Sequence, residues 1–230
     1  APTKEEGVTS NPTNLLGTMY LGGFVVPFIV TCLLTVLTLT MERFIALGKA
    51  AGKGNQTKFV AEVKKALNEK NVAKAEELCK KQKGTVGAIV YATLAKYKEM
   101  EANTILPKEQ KLAVIQEQLA EATALEMPSL QQNLPILATM TTLGTLLGLF
   151  GTVVGMIKSF QALGNAGAPD SAELSKGISE ALVNTASGIL TAVCALIAYN
   201  FFTNKIDNLT YAVDELGFAI VNAYAANHAN

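Results

Sequence analysis

With 230 residues, half of them hydrophobic, and a mean hydropathy of +0.28, this chain is too apolar for an ordinary water-soluble domain. Nineteen basic and nineteen acidic residues cancel, which leaves no positive field to hold nucleic acid. Cys32, Cys79 and Cys194 lack metal or redox spacing, and a lone histidine, His228, argues against a His-based triad or zinc site, so no cofactor is expected. Ala1 in place of Met points to removal of an initiating methionine or of a longer leader.

Charge is segregated along the chain. No Asp, Glu, Lys or Arg lies between Gly7 and Met41, between Met127 and Ile157, or between Ala181 and Asn204. A membrane-spanning helix needs about 20 mostly apolar residues, and each gap exceeds that. The reading is an all-α integral membrane protein with spans at 19–41, 136–160 and 178–202. Pro27 falls inside the first, where a bundle can satisfy the carbonyl it frees. Fifteen of the nineteen Lys and Arg lie between Arg43 and Lys111, which places that segment on the cytoplasmic side. The order is then an outer N-terminal segment (1–18), span one, a cytoplasmic helical domain (42–135), span two, a short outer loop (161–177), span three, and a cytoplasmic C-terminal helix (203–230).

The cytoplasmic domain reads as helices throughout. Phe59, Val60, Val63, Ala66 and Leu67 recur at helical spacing opposite Glu62, Lys64, Lys65 and Glu69. Asn71 suits an N-cap, Lys83-Gly84-Thr85 a turn before an apolar helix from Val86 to Leu94, and Pro107 the first turn of a helix that follows. That helix points straight into span two, interrupted by Pro128 and Pro135, so a long, kinked rod projecting well into the cytoplasm is expected. Solvated helices that hold subunits together explain these features without chemistry.

Spans two and three are patterned differently. Gly144, Gly148, Gly151 and Gly155 are 4, 3 and 4 apart and form one stripe, with Thr141, Thr145 and Thr152 beside it. In span three, Ala181, Thr185, Gly188, Ala192 and Ala195 form a small-residue stripe, flanked by Glu180, Asn184, Ser187 and Thr191. Small residues let helices approach closely in lipid, and hydroxyls can line a polar path. Glycine spacing alone is equally what plain packing requires, since threonines also bond their own helix. Matched depth favours the path: Thr152 and Thr185 lie roughly 11–12 Å below the outer boundary at about 1.5 Å per residue. Glu180 is either solvated at the interface or a proton relay or partner contact, and Lys158 is expected to snorkel outward.

LGLFGTVVGMIKSF, then GISEALVNTASGIL and AYNFF, resembles the ExbB and TolQ branch of the MotA/TolQ/ExbB proton-channel family. Met41-Glu42-Arg43 at the end of span one fits the same pattern. The resemblance implies an inner-membrane energy transducer of Gram-negative bacteria, not an enzyme, assembled as a homopentameric helical barrel. A pair of single-span ExbD-like or TolR-like partners would sit inside the pore and carry the proton-accepting aspartate. An ExbB-like member would energise outer-membrane transport through a TonB-like protein, a TolQ-like one envelope constriction. The GTVVGMIKSF run looks closer to the ExbB side. By motif position Thr152 and Thr185 are the pore-facing threonines and Glu180 is the acid of the family's G-x-x-E-A-L element, while the polar faces themselves add Thr145 and Asn184 as candidates along the proton pathway. Tyr199 and Asn200 match a Tyr-Asn pair near the inner end of span three, as structural or partner contacts, and the glycines, Gly188 included, pack helices. Asn184 departs from the small apolar residue usual beside that threonine. A structural membrane scaffold, in which the glycine stripes only pack, is the competing class.

Overall fold

The computed structural model describes residues 23–165 and 171–228, all of whose regular structure is helical. The expected outer segment 1–18 and the centre of the 161–177 loop lie outside the described residues. A 3-10 turn, Gly23–Val25, leads into α1, Val26–Ala50. Then come α2, Gln56–Asn68; α3, Val72–Gln82; α4, Gly84–Ala102; α5, Lys108–Gln131; α6, Leu134–Asn165; and α7, Ser171–Asn227. Among the described residues, three helical stretches are long and apolar enough to cross a membrane: Gly23–Ala50, Lys108–Gly164 and Ser171–Asn227. The described residues fall into two compact units, those within 1–39 and 136–198 in one and those within 40–135 and 199–230 in the other.

The prolines do less damage than their positions in the sequence suggest. Pro27 occupies the first turn of α1, where its missing N–H has no intrahelical partner to lose. Pro107 stands at the N-cap of α5, one position before the expected first turn. Pro128 was expected to interrupt the helix that leads to span two, yet α5 runs through it to Gln131. The break comes instead at Gln132 and Asn133, where Asn133 takes a left-handed φ of 65°. Pro135 then falls in the first turn of α6.

In the first unit, the exposed surface is apolar. Phe28, Leu34, Leu149, Phe150, Leu190 and Ile197 are all more than half exposed or close to it. Side chains of this kind cost nothing against lipid, and the threonines of α1 hide their polarity by donating to carbonyls one turn back. Thr31 bonds Pro27 O, Thr35 bonds Thr31 O and Thr38 bonds Leu34 O, each at 2.8 Å.

The second unit has a conventional core. α2 packs on α3, α3 on α4 and α4 on α5. α4 buries Ile89, Val90, Leu94 and Tyr97, and the C-terminal part of α7 buries Leu209, Val213, Leu216, Ile220 and Tyr224 on one face. Burial removes the apolar area of each of these from water, worth about 1.5–3 kcal/mol apiece. Polar contacts fix the register: Tyr224 Oη donates to Met100 O at 3.1 Å, Asn227 Nδ2 to Tyr97 Oη at 3.1 Å, and Gln56 Nε2 to Asn208 O at 3.2 Å. Asn71 caps α3 by accepting from Lys74 N at 3.0 Å. Gly84 must be glycine: its φ is +75°, and a Cβ there would sit 2.4 Å from Ala50 O.

Candidate functional site

The packed seam between α6 and α7 is built from absent side chains. A Cβ on Gly188 would lie 2.5 Å from Gly144 O and 2.7 Å from Gly148 Cα. One on Gly148 would lie 3.2 Å from both Asn184 O and Gly188 Cα, and one on Gly155 would lie 2.8 Å from Gly177 O. Backbone therefore touches backbone along the length of the stripe, the close approach that small residues permit in lipid. Gly144, Gly148, Gly151 and Gly155 are all buried, as is Gly188.

The α7 face that meets them comprises Gly177, Ala181, Asn184, Gly188, Thr191 and Ala195, all buried. This shifts the expected division by one residue. Asn184 and Thr191 were placed on a polar flank, and instead they are 1% and 0% exposed, inside the seam. Thr185 and Ala192, expected within the stripe, stand at its edge and are half-buried.

Four threonine hydroxyls donate to backbone carbonyls, three on their own helix and one across the seam. Thr185 Oγ1 reaches across to Gly148 O at 3.5 Å, a long contact, while Thr191 Oγ1 bonds Ser187 O at 2.9 Å and Thr145 Oγ1 bonds Thr141 O at 3.2 Å. Thr152 Oγ1 donates to Leu149 O. Thr152 is half-buried and Thr145 exposed. A hydroxyl whose proton is so committed still presents lone pairs, so these side chains can accept hydrogen bonds from water or from another chain.

Glu180 and Lys158 depart from the simplest expectations. Glu180 is buried at 6% exposure, and Lys158 Nζ donates to its Oε1 at 2.6 Å, so Lys158 binds a neighbouring helix instead of only snorkelling outward. The Lys158 side chain is 46% exposed against 7% for Glu180. Gly23 closes the third side. A Cβ there would fall 1.8 Å from Glu180 Oε1, so the carboxylate lies against the start of α1, where the helix dipole favours negative charge. Three apolar helices thus converge on one carboxylate. Ser159 is also buried, with its Oγ 3.1 Å from Gly155 O and 3.2 Å from Leu174 O.

Tyr199 and Asn200 belong to the second unit, half-buried and exposed respectively. The same unit holds Arg43, which in the sequence marks the end of a span and the start of the basic segment. Arg43 is 2% exposed, and its Nη1 donates to Ser129 O at 3.2 Å and to Leu130 O at 3.4 Å. Its Nε and Nη2 pair with Glu42, which also accepts from Asn133 Nδ2 at 3.2 Å. The guanidinium supplies donors to carbonyls where α5 ends, as a cation at a helix C-terminus should. The available signal was an arginine directly after an apolar run, with an acid as its neighbour. The Arg43 hydrogen bonds hold Glu42 below the usual carboxylate range.

Burial pushes the Cys79 thiol up to about 12, with a smaller contribution from the nearby Glu76 charge, so the thiol is inert at neutral pH. Among the described residues no group of three or more His, Cys, Asp or Glu could hold a metal ion.

Residues 81–215 match the MotA/TolQ/ExbB proton channel family. The chain is 40% identical over 88 residues to the Tol-Pal system protein TolQ of Pseudomonas aeruginosa, a stretch covering 38% of each protein. It is 30% identical over 149 residues to the biopolymer transport protein ExbB of Pseudomonas putida, covering 64% of this chain and 43% of the relative. With ExbB of Neisseria meningitidis it shares 31% over 123 residues, 52% of this chain and 54% of the other. The chain therefore spans about two fifths to one half of the length of these relatives. The family match takes in the α6–α7 seam, both threonines and Glu180, and the chain belongs to the MotA/TolQ/ExbB proton channel family.

Proposed function

We propose that this chain is the channel-wall subunit of an inner-membrane motor that turns proton motive force into mechanical work. Several copies, five by the family resemblance, would surround an ExbD-like pair of single-span helices. The N-terminus would be periplasmic, the short loop after α6 likewise, and the C-terminus cytoplasmic, as the excess of basic residues between Arg43 and Lys111 supports. The observation that carries the reading is the seam itself. Backbone-close packing of α6 on α7 makes a rigid wall and leaves Thr152 and Thr185 half-buried at its edges, each with free lone pairs.

The physical logic is short. A threonine hydroxyl neither holds nor releases a proton at neutral pH, but it can steady a water chain or a partner carboxylate. A carboxylate on a partner helix, removed from bulk water, becomes easier to protonate. Each charge that crosses 100 mV is worth about 2.3 kcal/mol, so a few protons suffice to turn or shift a helix. The wall stays still and the partner moves.

An ExbB-like role in energising a TonB-like protein is favoured by the GTVVGMIKSF run. A TolQ-like role is the second reading, supported by the 40% identity to a TolQ protein. Iron-chelate uptake against detergent sensitivity of a deletion strain separates them. The scaffold reading draws on the threonines' bonds to backbone carbonyls. Native mass spectrometry of the chain, alone and with the single-span protein encoded beside it, tests the assembly. A pentamer that takes up fewer copies of the partner supports the motor, whereas a monomer indifferent to the partner removes it.

A further inference from the structure

Glu180 and Asn184 stand one turn apart on the same buried face of α7. Glu180 has a partner in Lys158. Among the described residues Asn184 has none: both Nδ2 and Oδ1 are sealed from solvent and neither makes a hydrogen bond. Room for this carboxamide comes from Gly151, where a Cβ would lie 2.4 Å from Asn184 Cβ and 2.6 Å from its Cγ. A glycine opposite a buried amide that bonds nothing is a costly arrangement unless the amide serves a second state.

The chemistry of the two groups defines that state. An ionised carboxylate can only accept hydrogen bonds, while a protonated carboxyl offers one O–H donor and one carbonyl acceptor. A carboxamide offers the mirror set, so the neutral acid and Asn184 can exchange two bonds, O–H to Oδ1 and Nδ2–H to the carboxyl oxygen. Side chains four apart on a helix are within reach of each other, and amide–acid pairs at this spacing are a known stabilising contact.

We infer that Glu180 and Asn184 form a proton-operated switch: ionised, Glu180 holds Lys158; protonated, it releases Lys158 and pairs with the Asn184 carboxamide. The proton comes from water and stays on a Glu180 oxygen; no other covalent bond changes. Lys158, whose side chain is 46% exposed, returns its ammonium to solvent, whereas Glu180 at 7% stays buried and needs a neutral partner. Facing Glu180 from α6 is Lys158, from the turn before α1 the backbone at Gly23, and on its own helix lie Lys176 and Glu173, both exposed. Lys158 and the backbone at the start of α1 lie against the carboxylate. Asn184 bonds doubly only to the acid, so the two stations exclude each other. The switch would tie the α6–α7 contact to proton occupancy. It deepens the proton-coupled reading and rests on it for the use of the switch, not for its existence.

The test is magnetic resonance on the full chain in lipid bilayers, with labelled asparagine and glutamate. The Asn184 side-chain amide signal, identified by its loss in Asn184→Ala, is followed from alkaline to acidic pH. It should move downfield in acid, and in Glu180→Gln, where a neutral amide replaces the acid, it should hold the shifted position at every pH. A signal that does not move, or a Glu180→Gln signal matching the alkaline wild type, overturns the switch. Infrared spectroscopy adds a reading that needs no variant of Asn184 to assign it. The protonated Glu180 carbonyl band, lost in Glu180→Gln, should rise in frequency in Asn184→Ala, and an unmoved band counts against the pair. Neither experiment involves flux or a partner, so failure of the channel reading and failure of the switch are told apart.

Discussion

Gly188→Ala puts the seam under a defined strain. The new Cβ would sit 2.5 Å from Gly144 O, 2.7 Å from Gly148 Cα and 3.0 Å from Gly148 N, all backbone atoms that cannot rotate away. Carbon–carbon contacts are comfortable at about 3.5–4.0 Å, so α6 and α7 must separate by roughly 1 Å at this point. Contacts on either side, at Gly144 and Gly148, loosen with it. Overpacking of this kind costs about 1–3 kcal/mol, here toward the upper end, and the helix-propensity gain of alanine returns about 1 kcal/mol. A net loss of about 2 kcal/mol follows, or roughly 4–8 °C in melting temperature for a chain of this size. Gly164→Ala is the control, since among the described residues nothing lies within 4 Å of a Cβ there, and it should be neutral or slightly stabilising. Thermal unfolding in lipid nanodiscs, read by helical circular dichroism, ranks the three. If Gly188→Ala melts with the wild type, the backbone-close seam is refuted.

Other outcomes follow from single contacts. Arg43→Leu removes the donors to Ser129 O and Leu130 O and should destabilise the second unit by about 2 kcal/mol, with Arg43→Lys restoring only part; denaturant titration measures both. Lys158→Met strands a buried carboxylate and should cost roughly 2–3 kcal/mol, whereas Lys158→Met combined with Glu180→Gln should recover most of it, a non-additivity that a double-mutant cycle reads directly. Cys79 links stability to alkaline pH. Its thiol is held up to about 12 against an ordinary value of 9.0, so the folded chain keeps a proton that the unfolded chain has lost. The resulting stability is present below pH 9 and falls away as pH rises toward 12, by up to roughly 4 kcal/mol, and Cys79→Ala should flatten that limb of the curve.

Helical period was legible in the sequence, and helical phase was not. The stripe Ala181, Thr185, Gly188, Ala192, Ala195 and the observed face Gly177, Ala181, Asn184, Gly188, Thr191, Ala195 share steps of three and four. They differ by a small rotation that no spacing rule can fix. Glycines on α6 decide it, because Gly151 leaves space where Asn184 goes and side-chain size across the seam is a tertiary fact. Local chemistry fared better: Asn71 and Gly84 each did what their residue type dictates. Pro128 did not end its helix, since the break at Asn133 is supported by Arg43 from a helix some ninety residues away in sequence, information that no window around Pro128 contains. Glu180 was singled out by its isolation in an apolar run, yet its partner Lys158 read as an outward-pointing lysine because pairing between helices is invisible to hydropathy.

The central claim is that Thr152 and Thr185 face a proton path which this chain shares with a single-span partner. Its most direct test is proton flux into proteoliposomes carrying the chain together with that partner, compared for wild type, Thr152→Val and Thr185→Val, with assembly checked on the same samples. The account predicts flux in the wild-type complex and its loss in both variants while the complex stays intact. Undiminished flux through intact complexes of both variants would contradict it.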